Sequence, residues 1–166
     1  MKKIPFLLSI LFLVFLFTAS AYATPTLRIN DGVNPVLSIA DGSGLDSNPV
    51  VGAVTYLGPL GVWFINVSTG ITKPAVGTPN VPYMDLNTVN TSSAAGNLQV
   101  GFSEDAFTGN LPGWSTKVGG TTQGTVSVQA LLDTGNLLFA GAQIGALGPF
   151  GPGAFSGTDG QGGPFP

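Results

Sequence analysis

The sequence predicts an all-β protein: an antiparallel β-sandwich of Ig-like or jelly-roll-like Greek-key type, placed after an N-terminal signal peptide. Two observations carry the sandwich. The apolar stretches beyond residue 23 are short and rich in Val, Ile, Thr and aromatic residues, and clusters of Gly, Pro, Asn and Asp separate them at spacings of about 8 to 14 residues. No stretch of that region sustains the 3.6-residue apolar period of a helix. A third observation sets off the first 23 residues. Lys2 and Lys3 precede an almost uninterrupted apolar run over residues 4–17, and Ala21-Tyr22-Ala23 supplies the small residues of a signal-peptidase site. A run of about 14 residues is shorter than the roughly 20 that a bilayer-spanning helix needs. Cleavage before Thr24 is therefore expected, giving a secreted or cell-surface chain with no membrane segment after cleavage.

Taken in order, residues 26–30 and 36–40 read as a hairpin around Asp31-Gly32-Val33-Asn34, where glycine adopts positive φ without strain. Residues 41–48 form a polar loop, followed by strands over 50–57 and 62–68. In the second of these, Val62, Phe64 and Asn66 share one face and Trp63, Ile65 and Val67 the other, both at least half-buried. Residues 73–82 hold three prolines, which donate nothing to a ladder, and so read as a crossing between sheets. Strands over 84–92 and 98–102 follow, with a one-residue slip of pattern near Thr88 that suggests a bulge. Strands over 117–122, 125–132 and 137–144 complete a set of nine, the last two joined at Asp133-Thr134-Gly135-Asn136. The Gly- and Pro-rich residues 147–166 show no strand period and read as a loop or tail. The expected organisation is a signal peptide over 1–23, a sandwich domain over 24–146 and the tail over 147–166.

Composition narrows the partners. With Lys2 and Lys3 removed, Arg28, Lys73 and Lys117 face eight acidic residues, a net charge of −5. That balance is wrong for nucleic acid, whose binding depends on Lys and Arg neutralising phosphates, and for anionic lipid. There is no cysteine, so no disulfide supports an exported domain of this size. There is no histidine either, so the usual zinc, copper and haem ligand sets are missing. The chain is expected to carry no cofactor, with calcium on oxygen ligands as the one alternative. Asp41, Ser43, Asp46 and Asn48 are the candidate ligands, although their spacing departs from the EF-hand pattern.

The stretches TLRINDG at 26–32, WFINVSTGITKP at 63–74, MDLN at 84–87, VGGTTQGTVS at 118–127 and LDTGNLLF at 132–139 resemble secreted Gly- and Thr-rich bacterial proteins of the PEP-CTERM, exosortase-sorted type. The resemblance implies a Gram-negative protein exported through Sec, in species that often make extracellular polysaccharide or biofilm. Here the C-terminal Pro-Glu-Pro, its apolar helix and its Arg cluster are missing. Either a freely secreted relative or a truncated chain would account for that.

The sharpest chemical motif is Asp133-Thr134-Gly135 after the apolar Leu131-Leu132, the active-site string of retroviral-type aspartic proteases. Such chemistry needs two carboxylates sharing a proton, and the string occurs once. Ordinary turn chemistry explains Asp-Thr-Gly-Asn as well. Glu104-Asp105 with Asp85 could serve as a glycosidase pair, but adjacent strand residues point to opposite faces. Trp63 and Trp114 are candidates for stacking on sugar rings, against the commoner role of aromatics in a core. No residue is assigned to catalysis. The expectation is a non-catalytic structural or adhesive protein, associated with an extracellular matrix and contacting polysaccharide or other surface proteins. A carbohydrate-binding module, calcium-assisted, is the alternative, and a hydrolase the remote one.

Overall fold

The computed structural model describes residues 24–109 and 112–162, so the signal segment read over 1–23 lies outside the described residues. Those residues form ten strands and no helix: β1 (Thr26–Asn30), β2 (Leu37–Ala40), β3 (Ala53–Leu60), β4 (Trp63–Ile71), β5 (Asp85–Ser92), β6 (Gln99–Ser103), β7 (Gly113–Thr122), β8 (Val126–Leu132), β9 (Ala142–Phe150) and β10 (Gly153–Gly162). Every pairing is antiparallel. The fold is the all-β sandwich that the strand-and-turn rhythm predicts.

The first six strands make two sheets, ordered β2-β1-β6 and β3-β4-β5. In β1 the side chains alternate as a half-buried strand demands: Leu27 and Ile29 point inward and Arg28 outward. They meet Ile39 of β2, Val54 and Leu60 of β3 and Ile65 of β4 in one cluster. Burial of each such side chain contributes about 1.5–3 kcal/mol, and this cluster is the core. Between the sheets, the Phe102 ring of β6 lies where a side chain on Gly70 of β4 would begin. Gly70→Ala is accordingly expected to cost about 1–3 kcal/mol by overpacking, read as a lowered urea midpoint at unchanged m-value.

A bulge between Ile65 and Val67 reorganises β4. Trp63 and Ile65 turn inward before it, whereas Ser68 and Gly70 do so after it. The even two-face alternation expected for 62–68 is thereby corrected: Phe64 is 46% exposed, and Val62 is exposed with it. The pattern slip near Thr88 has its cause on the neighbouring strand, at Asn66 opposite Val89 and Asn90. The proline-bearing residues 73–82 are likewise not a crossing. β4 and β5 are neighbours in one sheet, so the segment is a long hairpin loop, and the crossings occur between β2 and β3 and between β5 and β6.

The remaining strands are one long hairpin bent once. The outer pair β7·β10 runs in register up to Thr122↔Gly153, and the inner pair β8·β9 resumes at Val126↔Phe150. The corner falls at 123–125 and 151–152. The hairpin doubles back on itself there: the Trp114 ring covers Gly145, Phe150 stacks on Phe155 at 5.1 Å, and Asp159 Oδ2 accepts the Ala146 N–H at 3.0 Å. The reading of 147–166 as a strandless tail is corrected, because β9 runs to Phe150 and β10 occupies Gly153–Gly162. The strand expected over 137–144 is shifted to Ala142–Phe150, leaving 133–141 as the hairpin loop. All fully buried apolar side chains among the described residues lie between Pro25 and Ile65, so the bent hairpin adds a half-buried layer without a second closed core.

Candidate functional site

The chain's scarce acidic side chains are the natural starting point, since they are where acid, base or metal chemistry would reside. Five of the eight acidic residues in the sequence receive backbone N–H groups instead. In the β1–β2 turn, Asp31 Oδ1 accepts from Val33 N at 3.0 Å and Asn34 N at 2.8 Å, and its Oδ2 accepts from Asn34 Nδ2 at 2.7 Å. These are Asx-type contacts, in which a short polar side chain satisfies the donors of a turn.

The Asn34 backbone N–H, then its side-chain amide, then the Val33 N–H hold the Asp31 carboxyl below its ordinary value of 3.8. A folded-state value below the unfolded one gives stability that is present above the ordinary value and is lost as pH falls from there through Asp31's own lower value. Melting temperature is therefore expected to drop on acidification below about pH 4, with a shallower drop in Asp31→Asn. An unchanged acid slope in the variant would contradict this contribution.

The four residues considered for calcium share the loop after β2, but their oxygens face amides. Asp41 Oδ2 accepts from Gly52 N at 2.7 Å. Asp46 Oδ1 takes the N–H groups of Asn48 and Thr55, both at 2.9 Å, and its Oδ2 takes Gly42 N at 3.0 Å. Asn48 Oδ1 accepts from Val50 N at 3.0 Å. Ser43 Oγ is shielded and has no hydrogen-bond partner among the described residues. Among the described residues no three His, Cys, Asp or Glu side chains are grouped as a metal site. A cation here would have to displace backbone donors, and the arrangement as it stands closes the loop over the edge of β3.

The Asp-Thr-Gly string forms the turn that its composition allows. Asp133 O accepts the Asn136 N–H at 3.2 Å, and Asp133 Oδ2 accepts the Leu137 N–H at 2.7 Å. Asn136, at φ 56°, then exchanges two hydrogen bonds with the Phe107 backbone, at 3.1 and 3.2 Å. Phe139 donates its N–H to Ser103 Oγ at 3.0 Å and receives the Arg28 guanidinium over its ring at 3.8 Å. The loop that carries the motif thus pins the tip of the bent hairpin to the β1–β6 ladder.

Glu104 is held by an ion pair where those five acids are held by amides. Its Oε1 lies 2.7 Å from Lys73 Nζ, its Oε2 meets the Thr72 hydroxyl, and its side chain is 1% exposed. Lys73 Nζ also donates to Asp105 O at 2.6 Å and stands 3.8 Å above the Phe107 ring. Asp85 lies out on exposed β5, so the proposed carboxyl pairing is between a residue locked in an ion pair and one at the surface. Nothing local in the sequence pointed to Lys73–Glu104. The two lie on different loops, and the only available signal was that Lys73 is one of three basic residues beyond residue 23.

The two tryptophans are packed apart from each other. Trp63 lies against the core cluster and donates its indole N–H to Asn97 O at 2.8 Å. One edge of it borders a 360 Å³ concavity lined also by Asp31, Asn34, Gly61, Gly96 and Asn97. Trp114, half-buried over Gly145, borders an open groove with Pro112, Ser115 and Gln161. The structure does not bring the tryptophans, the 41–48 loop and Asp133 into one site. No protein-family model, curated protein or solved structure matches the chain.

Proposed function

We propose that the protein is a non-catalytic structural or adhesive component exported to the cell surface or extracellular matrix, of the PEP-CTERM-like kind its sequence resembles. One observation carries this reading: the acidic side chains work as clamps. Asp31, Asp41, Asp46, Asp133 and Asp159 hold backbone donors, and Glu104 neutralises a buried lysine. Carboxylates engaged in this way hold loops in place in a chain without disulfides, and they are poorly placed to shuttle protons. Immunogold labelling of the producing cells tests the proposal, with label expected in the surface or matrix layer. Label confined to the cytoplasm would overturn it, as would peptide or glycoside turnover that vanishes in Asp133→Asn.

A second reading, carbohydrate binding, is favoured by the concavity beside Trp63, where an indole edge and the amides of Asn34 and Asn97 meet. On a glycan array this reading expects binding that is lost in Trp63→Ala and kept in Trp114→Ala. No binding by the parent protein would remove it.

A further inference from the structure

The two long edges of sheet β3-β4-β5 are built differently. On β3, the outward groups of Thr55 are already occupied: its N–H donates to Asp46 Oδ1 at 2.9 Å, and its carbonyl accepts the Ser47 N–H at 2.9 Å and the Ser47 hydroxyl at 3.1 Å. A bulge between Tyr56 and Gly58 and the presence of Pro59 interrupt the rest of that edge. These are the devices by which proteins keep an edge from recruiting another strand. β5 has none of them. It runs eight residues, is exposed along nearly all of its length and contains no proline. Its one charge is Asp85, at its first position. Among the described residues, its only strand neighbour is β4.

The sequence of β5 is also complementary to itself when reversed. With Val89 set opposite Val89 of a second copy, Thr88 faces Asn90 and Asn87 faces Thr91, so an amide meets a hydroxyl in all four flanking pairs. The two Asp85 side chains fall at opposite ends of the ladder and do not meet. This register also preserves the faces of the sheet. Val67 is opposite Val89, and Phe64 opposite Thr91, so the odd-numbered residues of β5 share the outer face with Phe64, and the pairing sets odd against odd. A slip of one residue would set inner against outer positions. Val89, 52% exposed, would then join its copy in the middle of an apolar strip that runs through Val67 and Phe64 in each protomer. Independently, Asn90 Oδ1 is shielded from solvent and has no donor among the described residues, and the pairing brings the second copy's Thr88 opposite Asn90.

We propose that β5 pairs antiparallel with β5 of a second copy of this chain across a twofold axis at Val89, joining the two three-stranded sheets into one of six strands. The contact is isologous and uses up the open edge, while the guarded edge of β3 stops further growth, so a closed dimer forms and not a fibre. The pairing does not depend on the proposed function.

The chain has no cysteine, which makes the test clean. Val89→Cys introduces a single thiol, and directly opposed strand positions have Cβ atoms about 4.5–5.5 Å apart, close to the range a disulfide bridges. Mild oxidation of V89C is expected to give a covalent dimer on a non-reducing gel. Val33→Cys, in the exposed β1–β2 turn, is expected to stay monomeric. In sedimentation equilibrium, Val89→Lys sets like charges against each other and is expected to weaken the dimer at least about tenfold, with an unchanged far-ultraviolet circular dichroism spectrum. The proposal is overturned by a parent protein that remains monomeric into the millimolar range, by a V89K dimer as tight as the parent, or by V33C crosslinking as readily as V89C.

Discussion

Glu104→Ala is expected to destabilise the protein by about 3–5 kcal/mol, the usual result of removing one partner from a buried ion pair. The Lys73 and Glu104 side chains are 9% and 1% exposed. Without the carboxylate, the Lys73 ammonium retains, among the described residues, the Asp105 carbonyl and the Phe107 ring. The Thr72 hydroxyl loses a partner at the same time. The penalty arises from the charge left behind more than from the net attraction that is lost. Replacing both members by apolar residues of similar volume, Lys73→Met with Glu104→Leu, is therefore expected to restore most of the stability. Urea unfolding of the parent, the single variant and the double variant checks both statements. A single-variant loss below about 1 kcal/mol would mean that the pair behaves as a solvated surface contact.

Ile65→Ala is the second large expected effect, a loss of about 2–5 kcal/mol. Ile65 is fully buried on the central strand of its sheet and belongs to a core cluster of six side chains. The cavity that remains removes contacts from both sheets, and a core this small has little surrounding material to collapse into the space. Phe155→Ala in the bent hairpin removes a larger side chain but is expected to cost less, about 1–2 kcal/mol. Phe155 is only half-buried, and its stacking on Phe150 takes place in the layer that lacks fully buried apolar residues. Thermal or urea unfolding of the two variants side by side checks the order. A larger loss for Phe155→Ala would relocate the core.

Where local chemistry decided the structure, the sequence was readable. β1 matches the strand read over 26–30 because Leu27 and Ile29 alternate with Arg28, and the Asp31 and Asp133 turns formed where Asp and Gly stood together. Where distant partners decided it, the reading failed. Residues 153–162 are rich in glycine, which disfavours strands locally, yet ten paired positions with β7 hold them as β10. Gly157 in that strand leaves the space that Phe150 and Leu147 fill. The prolines of 73–82 signalled only that the segment lies outside a ladder. They could not say whether it leaves the sheet, and it does not. The bulge at Asn66 took Val67 off the face it was expected to share with Trp63 and Ile65, because one unpaired residue shifts the parity of every residue after it.

The same division holds for the candidate site. The oxygen-rich residues 41–48 were visible as a group, but two of the amides they hold, those of Gly52 and Thr55, lie beyond the loop, so a calcium shell and a backbone clamp looked alike in sequence.

The measurement that tests the clamp account most directly is amide hydrogen exchange, followed by NMR, on the purified protein at neutral pH. Gly52 and Thr55 donate to Asp41 and Asp46, and Asn34 donates to Asp31. The account predicts that these three amides are protected in the parent protein and that protection at Gly52 and Thr55 falls at least about tenfold in Asp41→Ala and Asp46→Ala respectively, the loss of about 1.4 kcal/mol expected for a hydrogen bond to a charged group. Unprotected amides in the parent, or protection indifferent to the carboxylates, would contradict it and return those side chains to the pool available for chemistry.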